Sequence, residues 1–150
     1  MGAVVASSRI YDAFMTATET GIEFFHGYTY SGHPLAIAAG LAAQEIYRSE
    51  GVYENATSLA SYFEQAVHSL RGAPFVTDIR NIGLAAGISI ETRNGAAGAR
   101  AMDAFAKTFE LGALIRVNGD ILALAPIPTM GQPEIDRIVD TVGRALREID

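Results

Sequence analysis

The chain has 150 residues, 49% of them hydrophobic, with no cysteine and a net charge of −6. That length suits one domain with a buried core, and the missing cysteines exclude disulfides and thiolate metal sites and fit a cytosolic protein. An acidic balance without a Lys/Arg cluster argues against nucleic acid, and no apolar run approaches the roughly 18 residues of a membrane span.

Met1 to Ala6 carries no positive residue ahead of its short apolar stretch, so no signal peptide is expected. Ala6 also stands where the N-myristoylation pattern needs Ser or Thr. Val4 to Ala6 reads as the end of a short strand. Ser7 or Ser8 then caps a helical turn through Tyr11, Phe14 and Met15. Residues 16–32 have no clean period and read as a loop, long enough to be functional or to need surrounding structure.

Pro34 suits the first position of a helix, where its missing N–H costs nothing. Leu35, Ala38, Ala39, Ala42 and Ile46 follow helical spacing to a stop at Gly51. The many small residues on this helix (Ala36, Ala38, Ala39, Gly40, Ala42, Ala43) predict a buried helix at an interface. A second helix is expected from about Asn55, with Ala56, Leu59, Ala60, Phe63, Val67 and Leu70 on one face and Gly72 beyond its end.

The period then changes to two. Phe75 to Arg80 and Leu84 to Ile90 read as strands joined across Asn81-Ile82-Gly83, and Asn94-Gly95 and Gly98 mark a loop. Met102, Phe105, Ala106 and Phe109 predict a third helical face, ended by Gly112. Leu114 to Val117 and Ile121 to Ala125 flank Asn118-Gly119, a strong hairpin signal. Pro133 starts a last helix with Ile135, Ile138, Val139, Val142, Leu146 and Ile149 as its stripe. The expected fold is a small α/β layer in which helices cover a mostly antiparallel sheet.

Four stretches, in order, carry a family resemblance. They are Met1-Gly-Ala-Val4, Phe25-His-Gly-Tyr-Thr-Tyr-Ser-Gly-His-Pro34, Asp78-Ile-Arg-Asn-Ile-Gly-Leu84 and Ile115-Arg-Val-Asn-Gly-Asp120. Together they resemble class III pyridoxal-phosphate aminotransferases, nearest to the β-alanine or ω-amino acid:pyruvate group. The resemblance implies that residues 1–32 end the large, fold-type I cofactor domain. Residues 33–150 are then the connecting helix and the C-terminal small domain. It also implies a homodimer or higher homo-oligomer, an amino donor and pyruvate as substrates, and a cytoplasmic location, with no nucleic acid or membrane partner.

Residue by residue, Thr29 matches the threonine whose hydroxyl and N–H contact the phosphate of pyridoxal phosphate in the neighbouring subunit, with Tyr28 beside it on the cofactor side. A hydroxyl and free amides suit a dianion, and Gly27 leaves room for approach. Arg116 matches the arginine that binds the substrate carboxylate and swings aside for donors lacking one. Its planar fork gives bidentate recognition that lysine cannot reproduce.

Other residues read as structural. Arg80 holds the first hairpin, His33 caps the helix at Pro34, and the aromatics Phe24, Phe25, Tyr28 and Tyr30 pack or line a pocket. His26 and His33, seven apart with no carboxylate or cysteine beside them, make no metal site.

Such enzymes anchor the cofactor on a lysine. Lys107 is the only lysine here and falls in the third helix, where it is expected to be solvated opposite Phe105 and Phe109. The family's anchoring lysine would lie upstream of Met1, so no catalytic residue is assigned within these residues. The chain alone is expected to be inactive. It then reads as the C-terminal part of a transaminase, or alternatively as a stand-alone oligomerisation or interaction domain derived from one.

Overall fold

Period-two alternation after residue 75 produces a four-stranded, wholly antiparallel sheet. In the computed structural model, which describes residues 2–15, 27 and 29–150, the strands are β1 (Val76–Ile82), β2 (Ala85–Ile90), β3 (Arg116–Asn118) and β4 (Ile121–Leu124). Their order across the sheet is β1-β2-β4-β3, which leaves β1 and β3 as the edges. Ala86, Ile88 and Ile90 of β2 and Leu122 and Leu124 of β4 all point to one buried face, as alternation requires.

Three helices cover that face: α3 (Val52–His68), α4 (Ala99–Glu110) and α5 (Gln132–Arg147). Leu59, Phe63 and Val67 of α3 join Ile135, Val139, Val142 and Leu146 of α5 in the core. Each fully buried large side chain contributes roughly 1.5–3 kcal/mol. Gly143 of α5 marks a close approach, since a Cβ there would lie 3.0 Å from a methyl of Leu70. Tyr62 Oη donates to Asp136 Oδ1 at 2.6 Å and ties α3 to α5 at the surface. Phe75, just before β1, has a left-handed backbone (φ 67°) that Arg100 braces by stacking 4.0 Å over its ring.

The chain divides into two compact units, Met1–Ser49 and Glu50–Asp150, and the sheet and its helices form the second. The first contains α1 (Ser8–Phe14) and α2 (Pro34–Ser49). Expectations for residues 16–26 and for Tyr28 lie outside the described residues.

Several expectations need correction. Val4 to Ala6 form no strand, and Val4 and Val5 are almost fully exposed. A strand needs a ladder partner, and no described residue pairs with this segment. The interface burial expected of α2 is not tested within this chain, where none of its residues is buried and Ala36, Gly40 and Ala43 are partly covered. α3 begins three residues before Asn55, at Val52, directly after Gly51 in its left-handed conformation (φ 62°).

α4 is rotated from the expected face. Ala101, Ala104 and Thr108 are buried and Phe105 is half-buried, while Met102, Ala106 and Phe109 are exposed. Small residues let the helix sit close to β3 and β4, which turns the larger ones outward. Buried Thr108 satisfies its hydroxyl on the Phe105 carbonyl at 2.9 Å.

Lys107 is likewise not simply solvated. Its Nζ lies 2.9 Å from Glu148 and 3.5 Å from Glu110, linking α4 to the end of α5. Glu148 also receives Arg144 Nε at 2.8 Å. The hydrogen bonds from Arg144 and Lys107 hold the Glu148 carboxyl below its ordinary value, and Glu148 in turn raises the Lys107 amine. A depressed carboxyl favours the folded state above its unfolded pKa, and that advantage disappears as pH falls through its folded value. Glu148→Gln should therefore lower the denaturation midpoint modestly at neutral pH, and the difference from the parent should close under acid conditions. A gap that persists in acid, below the depressed folded value, would assign the effect to packing.

Candidate functional site

The sequence-predicted site residues fall in two places, one in each unit. In the first unit, residues 29–32 form a turn that delivers the chain into α2. Gly32 takes the left-handed conformation (φ 76°) at its end, and the His33 N–H donates to the Tyr30 carbonyl at 3.3 Å. His33 does cap α2, through its backbone: its carbonyl accepts the Ile37 N–H at 3.0 Å. The turn thus stands at the positive end of a 16-residue helix.

Thr29 is exposed, and neither its hydroxyl nor its N–H is hydrogen-bonded among the described residues. With Gly2, Ala3, Gly27, Ser31 and Ala36 it lines a hollow of about 710 Å³. Among the described residues, a Cβ added at Gly27 would meet nothing within 4 Å, so they leave the backbone there accessible. An unspent hydroxyl, an unspent amide and an accessible glycine are donors and space of the kind a phosphate group needs. Tyr28 lies outside the described residues.

In the second unit, Arg116 opens edge strand β3, where it pairs with Ala123 of β4. Its side chain is exposed and makes no ion pair among the described residues, whereas Arg80, Arg93, Arg100 and Arg144 are each bound to a carboxylate. Arg80 lies along Gly87 of β2 and 3.3 Å from Asp78, across the first hairpin. Beside Arg116 is a hollow of about 400 Å³ whose other walls are apolar, among them Leu114, Leu124, Pro126, Ile127 and Met130. The arrangement suits a carboxylate carried on a short carbon chain, with the anion on the guanidinium and the chain against these walls.

The roles of two supporting residues escaped the sequence reading. Asp120 follows Gly119, whose left-handed backbone (φ 57°) makes the β3–β4 turn. Its carboxylate accepts the Gly98 N–H and the Thr92 hydroxyl, both at 2.8 Å, which fastens the hairpin carrying Arg116 to the loop before α4. Asn55 of α3 donates to the Pro128 and Met130 carbonyls at 2.6 and 3.1 Å, holding the loop that walls the hollow. Neither contact leaves a periodic trace in the sequence, because each joins segments distant along the chain.

A larger, polar hollow of about 740 Å³ involves Arg93, Arg100, Asp103, Glu148 and Asp150. Its charges are spent on one another: Arg93 meets Asp103 at 2.8 Å, and Arg100 donates to the Glu91 and Asp150 carbonyls. It braces the fold and offers little to a ligand. No group of three or more potential metal ligands occurs among the described residues, and no helix there is long and apolar enough to cross a membrane.

The family pattern described as aminotransferase class-III matches residues 1–146. The chain belongs to the class-III aminotransferase family. It is 52% identical over 149 residues to an omega-aminotransferase of Caulobacter vibrioides, covering 99% of this chain and 34% of that protein. It is 46% identical over 151 residues to a beta-alanine–pyruvate aminotransferase of Pseudomonas aeruginosa, with the same coverage. This class-III chain therefore spans about a third of the length of the curated relatives it matches.

Solved structures agree. A Bacillus anthracis aminotransferase superposes with a TM-score of 0.75 at 28% identity, covering 95% of this chain and 34% of the other. A thermostable omega transaminase from Pseudomonas jessenii, a sixfold mutant, gives 0.76 at 27% identity over 83% of this chain and 29% of the other. The α/β layer of the second unit is thus a transaminase fold element, as expected from the sequence.

Proposed function

We propose that this chain is the C-terminal part of a pyridoxal-phosphate-dependent transaminase that moves an amino group between an ω-amino acid or amine and pyruvate. The observation that carries the proposal is a pair of groups left without partners among the described residues, Thr29 in one unit and Arg116 in the other, at positions that the sequence resemblance matches to the family's phosphate and carboxylate contacts. Residues 1–32 would close the large cofactor domain. Residues 33–150 would supply the connecting helix and the small domain. The names of the most similar relatives support ω-amino acids and pyruvate as the substrates.

The cofactor, when bound, supplies the electron sink for transamination. The chain's own contribution is recognition. Thr29 would hold the phosphate by its hydroxyl and amide, with Tyr28 beside it, and Arg116 would hold the substrate carboxylate. Lys107 does not fit the role of anchor: its amine is raised by Glu148, which disfavours the neutral nucleophile. A second subunit is part of the proposal, since the Thr29 contact in this family reaches across to a neighbouring cofactor. A soluble cytoplasmic enzyme is the setting that fits best.

Thr29→Ala, in a full-length enzyme carrying this chain, should weaken cofactor binding by roughly tenfold or more, the scale of one hydrogen bond to a charged group. Equilibrium titration of the apoenzyme with pyridoxal phosphate measures it. An unchanged dissociation constant would make Thr29 a turn residue and remove half the support for the proposal.

A further inference from the structure

We propose that Asn55 is a positioning residue for carboxylate substrates: its side-chain amide holds the loop that walls the hollow beside Arg116. The inference rests on the reading of Arg116 as the carboxylate-binding residue.

The loop between β4 and α5 runs Ala125-Pro126-Ile127-Pro128-Thr129-Met130-Gly131. Two prolines remove backbone donors from it, so it cannot extend the β4 ladder. It folds instead as a turn closed by the Met130 N–H on the Ile127 carbonyl at 3.0 Å, with Pro128 in the position where its fixed φ is favourable. The carbonyls of Pro128 and Met130 are left to be satisfied. Both are met by one group, the Nδ2 of Asn55, from 73 and 75 residues away in sequence.

The amide suits this task. Both acceptors are carbonyls, so the Asn55 group facing them must be the NH₂, which has one hydrogen for each. An aspartate would present acceptor to acceptor, and an alanine would present nothing. The tethered segment is also the wall: Pro126, Ile127 and Met130 line the hollow that Arg116 borders. Asn55 is not among the residues lining the hollow, and its hydrogen bonds go to loop carbonyls, so its influence passes through the loop backbone. The other end of the loop is held independently, by Glu134 Oε2 accepting the Gly131 N–H at 2.9 Å. Losing Asn55 should thus free the middle of the loop without unravelling α5.

Asn55→Asp is the sharper variant, because it is nearly isosteric and its charge in the first turn of α3 suits the helix dipole. Helix stability is therefore preserved while both donors are lost. Asn55→Ala serves as the uncharged counterpart. Both would be made in the full-length holoenzyme carrying this chain, beside Arg116→Ala. Each half-reaction would be followed at varied pyruvate, β-alanine and a simple amine, and amide hydrogen exchange measured over residues 125–131.

The expected result is faster exchange in that loop and a two- to tenfold rise, on the order of one neutral hydrogen bond, in the saturation constants for pyruvate and β-alanine. Limiting rates and the saturation constant for the amine should stay within about twofold of the parent. Unchanged exchange would show that the tether does not hold the loop and would overturn the proposal. So would faster exchange with unaltered saturation constants, or equal losses for acids and amine. If Arg116→Ala is selective against acids and the Asn55 variants are not, this proposal alone fails. If Arg116→Ala is itself unselective, the reading beneath it fails as well.

Discussion

Replacing Arg116 by alanine in a full-length enzyme carrying this chain should slow the half-reaction with pyruvate or β-alanine roughly ten- to hundredfold, the scale of charge-assisted hydrogen bonds worth about 1.5–3 kcal/mol. A simple amine without a carboxylate should be slowed far less. The selectivity follows from where the charge stands. The guanidinium is exposed at the edge of the sheet, bound to no carboxylate among the described residues, and bordered by apolar side chains. Desolvating it against those walls is favourable only when an anion arrives with the substrate. Arg116→Lys should recover part of the loss, because a point charge attracts a carboxylate but cannot meet both its oxygens. Equal losses for acids and amines would identify Arg116 as a strand residue. The β3 pairing with Ala123 is a backbone matter that alanine preserves, so a general collapse of the hairpin is not expected to confuse the result.

Legibility in the sequence followed the range of the interactions involved. The α5 stripe, the β1–β2 hairpin and the glycine turn after Asn118 are set by spacing within a few residues, and all three form. Ile149, however, lies past the end of α5, and the first hairpin turns on Gly83 and Leu84, since Asn81 and Ile82 still pair with Ala86 and Ala85. The turn sits one residue later than Asn118-Gly119 reads, on Gly119 and Asp120, because Asn118 still pairs with Ile121. The α4 face was misread for a different reason. Counting apolar bulk favours Met102 and Phe109, but proximity to β3 and β4 selects Ala101, Ala104 and Thr108, and only the packed sheet reveals that proximity. The site shows the same division. Thr29 and Arg116 stand out through motifs contiguous in sequence. Asp120 as a fastener and Asn55 as a tether depend on partners 22 to 75 residues away, which no local pattern encodes.

Phe63→Ala should destabilise the 150-residue chain by about 3–5 kcal/mol, the usual cost of removing a buried aromatic from a packed core. Phe63 is 1% exposed and lies in the cluster that joins α3, the sheet and α5, all within the unit Glu50–Asp150. For a unit of roughly 100 residues this corresponds to a fall in melting temperature of roughly 15–25 °C. Phe109→Ala makes the informative comparison. By helical spacing Phe109 belongs to a core-facing stripe, yet it is 63% exposed on the outer side of α4. Its removal should change stability by no more than about 0.5 kcal/mol, as for an ordinary surface site. Chemical denaturation of both variants separates the two accounts of α4. Similar large losses would mean that α4 is turned inward as bulk hydrophobicity suggests, with Ala101 and Ala104 outside. A large loss at Phe63 alone would mean that closeness to the sheet decided the face. It would also leave Phe109 an exposed apolar group on the outer side of α4.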